Sequence, residues 1–229
     1  TAVVIGESTQ ADWSHALATF TVDTTSDVIN AGDGLTSLRE AIIAANAAAG
    51  TDTISFNISA PLVGGVHTIT LAYDGPDAGT VPDALPVITQ ALIIDGTSEP
   101  DFAGTPVIEL NGNNVAGAKG LELGAGSSGS TIKGLTINRF TGTGIEISGS
   151  NNHTIQGNWI GLNAAGTAAS ANGVKGIYAL NSTGLLIGGT TAAERNVISG
   201  NTQQGIYFDN TDNSTISGNY VGTNAAGTG

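Results

Sequence analysis

The chain has 229 residues, with 19 acidic side chains against 6 basic ones, a net charge of −13, 34 glycines and no cysteine. So acidic a surface argues against nucleic-acid binding and against an electrostatic hold on anionic lipid, since both need clustered cations. The absence of cysteine excludes thiolate metal sites and thiol nucleophiles, and no apolar run reaches the roughly 18 residues of a membrane-spanning helix.

The first five residues carry no basic region of the kind that opens a signal peptide. Within residues 1–19, which have no clear overall pattern, 3–5 read as a strand and 11–18 as a short helix. Phe20-Thr21-Val22 reads as a strand, and 23–34 as a loop rich in Asp, Thr, Asn and Gly. A helix is predicted over roughly 38–48. Ser37 and Glu40 have capping-box spacing, and Leu38, Ala41, Ile42 and Ala45 fall on one face. Gly50 is placed where a left-handed C-terminal cap is expected. Strands follow at 53–56, 67–71, 91–94 and 107–110, with turns at Asp95-Gly96 and Asn111-Gly112. Pro76, Pro82, Pro86, Pro100 and Pro106 mark loops or strand starts.

From Gly120 the sequence repeats itself. Gly120-Leu121-Glu122-Leu123, Gly144-Ile145-Glu146-Ile147, Gly176-Ile177-Tyr178-Ala179 and Gly205-Ile206-Tyr207-Phe208 are equivalent. Each is followed by a second short strand, beginning at Thr131, Thr154, Leu185 and Thr215. A third follows, at Leu135-Thr136-Ile137, Asn158-Trp159-Ile160, Asn196-Val197-Ile198 and Asn219-Tyr220-Val221. Self-similarity at this period, built from short strands and glycine, is one turn of a parallel β-helix per repeat. The interval from Thr131 to Thr154 is one bare coil, and the longer intervals carry insertions at 164–173 and 188–195. Alternation directs Leu121, Leu123, Ile145, Ile147, Ile177, Ile206 and Phe208 inward. From the second strands it directs Ile132, Ile155, Leu186 and Ile216 inward, and from the third Ile137, Ile160, Ile198 and Val221. Equivalent side chains then stack at about 4.8 Å. Asn158, Asn196 and Asn219 are expected to form an amide ladder that Leu135 ends. The apolar helix face is suited to close the N-terminal end of the coil stack. The last residues, Asn224-Ala225-Ala226-Gly227-Thr228, repeat Asn163-Ala164-Ala165-Gly166-Thr167, so the chain reads as part of a longer protein. Its exposed C-terminal edge is expected to self-associate.

The segment Asp33-Gly34-Leu35-Thr36-Ser37-Leu38-Arg39-Glu40-Ala41-Ile42, with Asp52-Thr53-Ile54-Ser55-Phe56, resembles the CSLREA module, Thr36 taking the place of the cysteine that gives the module its name. The Gly-Ile-x-Ile and Asn-x-Ile-x-Gly-Asn motifs resemble pectate-lyase-like repeats. The resemblance implies a right-handed parallel β-helix and a bacterial secreted or cell-surface setting. It spans roughly residues 20–229. The wider superfamily includes pectate lyases, polygalacturonases and alginate epimerases.

Four outward aromatics, Trp159, Tyr178, Tyr207 and Tyr220, are candidates for stacking on sugar rings. Glu122 and Glu146, one coil apart, are a candidate acid–base pair or Ca²⁺ ligands, and Asp209 with Asp212, like Asp23, Asp27 and Asp33, are candidate Ca²⁺ ligands. The favoured account is plainer: two solvated carboxylates on a β face, and turn chemistry at the aspartates. Like charge at Glu122 and Glu146 hints that a cation, or Lys133, sits nearby. Arg39 is expected to bridge to acids of the first coils. The other bases, Lys119, Lys133, Arg139, Lys175 and Arg195, read as too scattered to form an anion site. Asn210-Thr211-Asp212 matches one polygalacturonase motif, but the paired aspartates, Gly-His-Gly and Arg-x-Lys of those enzymes are missing. His153 stands in a turn, and Asn210-Thr211-Asp212 reads as turn sequence.

The expected organisation is all-β: an N-terminal segment (1–19), a CSLREA-like cap with irregular coils (20–119) and regular coils (120–229). The expected function is a structural or adhesive module contacting polysaccharide or surface glycan, with no cofactor beyond Ca²⁺ and no nucleic-acid partner. The rival is a polysaccharide lyase, hydrolase or epimerase, with its site incomplete in this chain.

Overall fold

The computed structural model describes residues 17–72, 84–112 and 115–228. The strand expected at 3–5, most of the helix expected at 11–18, and Pro76 and Pro82 lie outside these residues; Leu17 and Ala18 are not helical. The chain begins with β1 (Thr19–Val22), α1 (Leu38–Ala47), β2 (Asp52–Phe56), β3 (His67–Thr70), β4 (Leu92–Asp95) and β5 (Ile108–Asn111). Four coils of three strands follow. They are β6 (Leu121–Leu123), β7 (Thr131–Lys133) and β8 (Leu135–Asn138); β9 (Ile145–Ser148), β10 (Thr154–Gln156) and β11 (Trp159–Ile160); β12 (Ile177–Thr183), β13 (Leu186–Gly188) and β14 (Val197–Ile198); and β15 (Ile206–Asp212), β16 (Thr215–Ser217) and β17 (Tyr220–Val221).

These strands pair into three parallel sheets that run along the coil axis. The first is β1-β2-β4-β7-β10-β13-β16, the second β3-β5-β8-β11-β14-β17 and the third β6-β9-β12-β15. The result is a parallel β-helix whose irregular first coils and regular later coils share the first two sheets. Inside, Ile132, Ile155, Ile137, Ile160, Ile145 and Ile177 are fully buried. Each such side chain contributes about 1.5–3 kcal/mol by leaving water. The glycine that opens each repeat has a steric reason. A Cβ on Gly120, Gly144 or Gly176 would strike the carbonyl of the equivalent glycine one coil on, and the methyl of Ile137, Ile160 or Ile198.

One expected register is corrected. In the third coil Leu186 pairs with Thr154 and Thr215, and Ile187 with Ile155 and Ile216. Ile187 is therefore the inward residue, and Leu186 faces out. Aligning Gly188 with the closing glycine of the other repeats shifts this strand by one residue, and with period-two alternation a one-residue slip exchanges the faces.

The amide ladder is present. Asn158 Nδ2 donates to Asn196 Oδ1 at 3.1 Å, and Asn196 Nδ2 to Asn219 Oδ1 at 2.9 Å. The ladder ends at Leu135, whose backbone N–H donates to Asn158 Oδ1 at 3.0 Å. A second ladder, Asn172 to Asn201 at 2.9 Å, lies at another corner and was not anticipated.

Helix α1 has the expected capping box, Ser37 Oγ accepting from Glu40 N and Glu40 accepting from Ser37 N. Leu38, Ala41, Ile42 and Ala45 are buried, and the helix packs on β1 and β2, at the outer end of the first sheet. Its C-terminus differs from expectation. Ala48 is the cap, in extended conformation, with its N–H shared between the Ala44 and Ala45 carbonyls, and Gly50 lies beyond it at φ +114°. Arg39 is buried and makes a bidentate pair with Asp27, 2.8 Å at both oxygens. Among the described residues its acidic partner comes from the loop before the helix, and its Nη1 also donates to the Ala84 carbonyl. At the opposite end the inward residues Ile216 and Val221 of the last coil are 48% and 52% exposed.

Candidate functional site

The outward positions of the third sheet form one column. Glu122 pairs in register with Glu146, Glu146 with Tyr178, and Tyr178 with Tyr207. The cation between the two glutamates is Lys119 rather than Lys133. Its Nζ lies 3.0 Å from Glu122 and 2.7 Å from Glu146. Burial alone would lower the Lys119 pKa. The hydrogen bonds and charges of Glu146 and Glu122 outweigh it and hold the amine above its ordinary range. The carboxylates offered as Ca²⁺ ligands here therefore already share an ammonium. Lys133 pairs instead with Asp95 at 2.9 Å.

Two coils on, Lys175 holds the same repeat position as Lys119 and does the same thing to different neighbours. Its Nζ lies 4.6 Å from the Tyr178 ring centre and 4.9 Å from that of Tyr207. The two rings are 5.7 Å apart and tilted by 39°. Tyr207 is exposed, and the Tyr178 hydroxyl points at Asp209 Oδ2, 3.5 Å away. Partial burial and that carboxylate push the Tyr178 phenol above its usual pKa. Lys119 and Lys175 thus each reach their own coil and the next.

Asp209 and Asp212 sit on β15, both exposed, with no third acidic or histidine ligand within reach; among the described residues only His67, Glu99 and Asp101 form such a trio. Between them Asn210 Nδ2 donates to Asn181 Oδ1 of the preceding coil at 2.7 Å, both residues at positive φ. Asn210-Thr211-Asp212, expected as turn sequence, lies instead within β15, which bends at Asn210, and this outer amide contact gives Asn210 a structural role. Of the N-terminal aspartates, Asp23 accepts from Thr36 N, Asp33 from Leu35 N, and Asp27 is held by Arg39.

Trp159 and Tyr220 lie on the second sheet, two coils apart with Val197 between them in register. Each is packed by its own copy of the Asn-Ala-Ala-Gly-Thr loop. Gly166 lies against Trp159 and Gly227 against Tyr220, both at positive φ, and a Cβ on either would come within 2.8 Å of the ring. The Asn163 and Asn224 side chains close these loops by accepting from Thr167 N and Thr228 N. The loops also stack on each other, Ala225 N donating to the Gly166 carbonyl at 2.9 Å.

Trp159 opens onto a groove of about 450 Å³ between the first and second sheets. Phe102, Lys133, Gln156, Glu194 and Arg195 also line it. Arg195 stacks on Tyr220 with its guanidinium carbon 4.2 Å from the ring centre, and its Nε donates to the Gly218 carbonyl. Glu194 accepts from the backbone N–H groups of Thr190 and Thr191, at 2.9 and 2.8 Å. These donors, Thr191 foremost, hold its pKa below the ordinary value, so it stays ionised and is a poor proton donor. Gln156 spends its amide N–H on the Gly188 carbonyl. An aromatic wall beside an amide, a carboxylate and a guanidinium is a set that can hold a polyhydroxylated ring. The sequence signals the tryptophan. It does not signal the company of Lys133, from the coil before, or of Glu194 and Arg195, from the insertion in the coil after.

Residues 90–229, more than half of the chain, match the family model described as right handed beta helix region. The chain belongs to the right-handed β-helix family. Both the platform on the third sheet and the groove beside the second fall within the matched coils of this right-handed β-helix. No curated protein matches the chain. Among the described residues, no helix of the β-helix is long and apolar enough to cross a membrane.

Proposed function

We propose that this right-handed β-helix is a structural module of a bacterial secreted or cell-surface protein that contacts glycan chains through the groove at Trp159. The groove carries the reading, because it is concave, of a size suited to one or two sugar units, and mixes an aromatic wall with polar groups. The Tyr178–Tyr207 platform is a second, flatter contact on another face. The CSLREA-like segment, now folded as the buried Ser37–Glu40 capping box and Arg39–Asp27 pair, supports the surface setting. An ionised Glu194 supports a binding rather than a proton-donating role. The rival reading, a polysaccharide-active enzyme, makes a different forecast in the same experiment.

In affinity electrophoresis through gels containing alginate, pectin, chitosan or neutral glucans, the wild-type band is expected to be retarded in at least one gel. Trp159→Ala and Arg195→Ala are expected to migrate freely there. Free migration of the wild type in all of them would remove the glycan reading. A cleared zone in polymer-stained gel would make the protein an enzyme.

A further inference from the structure

Three sequence-distant residues meet at the start of the second sheet. His67 opens β3, and Glu99 and Asp101 lie in the turn that follows the 3-10 turn Gly96–Ser98. His67 is 2% exposed, yet neither ring nitrogen has a hydrogen-bond partner among the described residues. Leaving a buried polar atom unsatisfied costs about 1–3 kcal/mol, so the site is incomplete as it stands. Its Nε2 faces two carboxylate oxygens, Glu99 Oε1 at 3.8 Å and Asp101 Oδ2 at 3.5 Å. One ligand atom from each of the three residues lies within 4.8 Å of the others.

We propose that His67, Glu99 and Asp101 bind a divalent transition-metal ion, with zinc the best match. The distances exceed those of good hydrogen bonds but approach the edges of a coordination tetrahedron. With metal–ligand bonds of about 2.0–2.2 Å, neighbouring ligand atoms stand about 3.3–3.6 Å apart. Glu99 Oε2 is occupied by the Ile58 N–H at 3.0 Å, which orients Oε1 towards the imidazole. Glu99 is buried, whereas the Asp101 side chain is 52% exposed and provides the way in for the ion and for a water as fourth ligand. Pro100 stiffens the backbone between the two carboxylates. An imidazole with two carboxylates suits zinc or cobalt; Ca²⁺ takes 6–8 oxygens and gains nothing from the imidazole. Phe102, next in the chain, lines the groove, so the ion would tie down one rim of it.

The alternative is a protonated His67 held between two acids without metal, and one titration separates the two. The whole chain is stripped with chelator and titrated with Co²⁺, reading the visible bands of a four-coordinate ion, then with Zn²⁺. The expected result is one cobalt equivalent per chain, bleached by zinc, with a rise in Tm. Asp101→Asn, an exposed change that leaves the fold intact, is expected to weaken binding by at least about tenfold. His67→Gln is expected to abolish the cobalt bands, while Asp209→Asn is expected to leave them unchanged. Two results overturn the site: no cobalt bands and no zinc-dependent Tm in the wild type, or binding that survives in both Asp101→Asn and His67→Gln.

Discussion

Lys119 and Lys175 occupy the same place in the repeat two coils apart, and the contrast between their surroundings separates frame from decoration. Each ammonium reaches the outward residue three positions on and that residue's equivalent in the next coil. At Lys119 these are Glu122 and Glu146, and the result is a two-armed salt bridge. At Lys175 they are Tyr178 and Tyr207, and the result is a cation lying over two aromatic faces. The backbone pairing beneath is the same parallel register in both. The coils are held by main-chain ladders, buried isoleucines and the asparagine stack, none of which depends on the outward residue. The outward column is therefore free to carry chemistry, and its composition is where function is to be sought.

The strongest test is to damage the frame that the Lys119 and Lys175 clusters share. Asn196 accepts from Asn158 N and Nδ2, and donates to the Ile155 carbonyl and to Asn219. Asn196→Ala orphans several buried groups at once, each costing about 1–3 kcal/mol, and is expected to destabilise the protein by about 3–5 kcal/mol in urea unfolding. Hydrogen exchange of β9 and β12 is expected to accelerate together. Faster exchange in only one of these strands would show that the two lysine clusters do not rest on a common frame.

A gentler strain on the same frame comes from acid. His153 lies in the turn after β9, where it is fully buried, and its Nε2 is 2.9 Å from Ser150 Oγ. Ser150 Oγ donates to the Leu123 carbonyl, so the imidazole is the donor to Ser150 and its Nδ1 is left bare and unpartnered. A second proton would go to Nδ1, and burial, only partly offset by the Ser130 backbone, lowers the pKa to about 4. The unfolded histidine, near pH 6.5, binds the proton first. The contribution of His153 to stability is therefore full above about pH 6.5, falls as pH drops towards 4, and changes no further below. Over that window roughly 3 kcal/mol is lost. His153→Gln is expected to flatten this dependence whatever its own stability. An equally steep acid limb in that variant would assign the loss to another group.

What the sequence made legible follows the same division. The frame was readable because it repeats. The inward Ile and Leu residues, the Asn158–Asn196–Asn219 stack, the capping box and the cap face all recur at fixed spacing or follow local rules. The Leu186 register was misread because two adjacent glycines, Gly188 and Gly189, offer two alignments and only pairing across coils chooses between them. The Asn172–Asn201 ladder was hidden because an insertion displaces Asn172 from the repeat frame. Of the candidate site, the aromatics were visible one by one, but their partners were not. Lys175, Arg195 and Glu194 reach them from neighbouring coils, and His67, Glu99 and Asp101 meet only because the β3 coil stacks on the β5 coil. Contacts between coils connect residues from 23 positions apart, as in Leu135 with Asn158, to 38, as in Asn158 with Asn196, and nothing in local sequence marks them.

The smallest effect sharpens the contrast between the columns themselves. Lys119 has its pKa raised by Glu146 and Glu122 against the opposing pull of burial. For a lysine raised in the folded state, the bridge contributes fully below the unfolded pKa, about 10.4, and is lost as pH rises through the folded value. Beyond that point Glu122 and Glu146 face each other uncompensated. The lysine is about a third exposed, so solvent screens the bridge, and the alkaline loss is expected to stay under about 1 kcal/mol. Other groups titrate in the same range, so the measurement is a difference between two proteins. Lys119→Arg keeps the charge and does not titrate there, and its unfolding curve is expected to fall less steeply with alkali than that of the wild type. Glu122→Gln with Glu146→Gln is expected to remove the same component by deleting the partners. Identical alkaline slopes in the wild type and in Lys119→Arg would mean that this bridge, like many surface ion pairs, adds nothing to the fold.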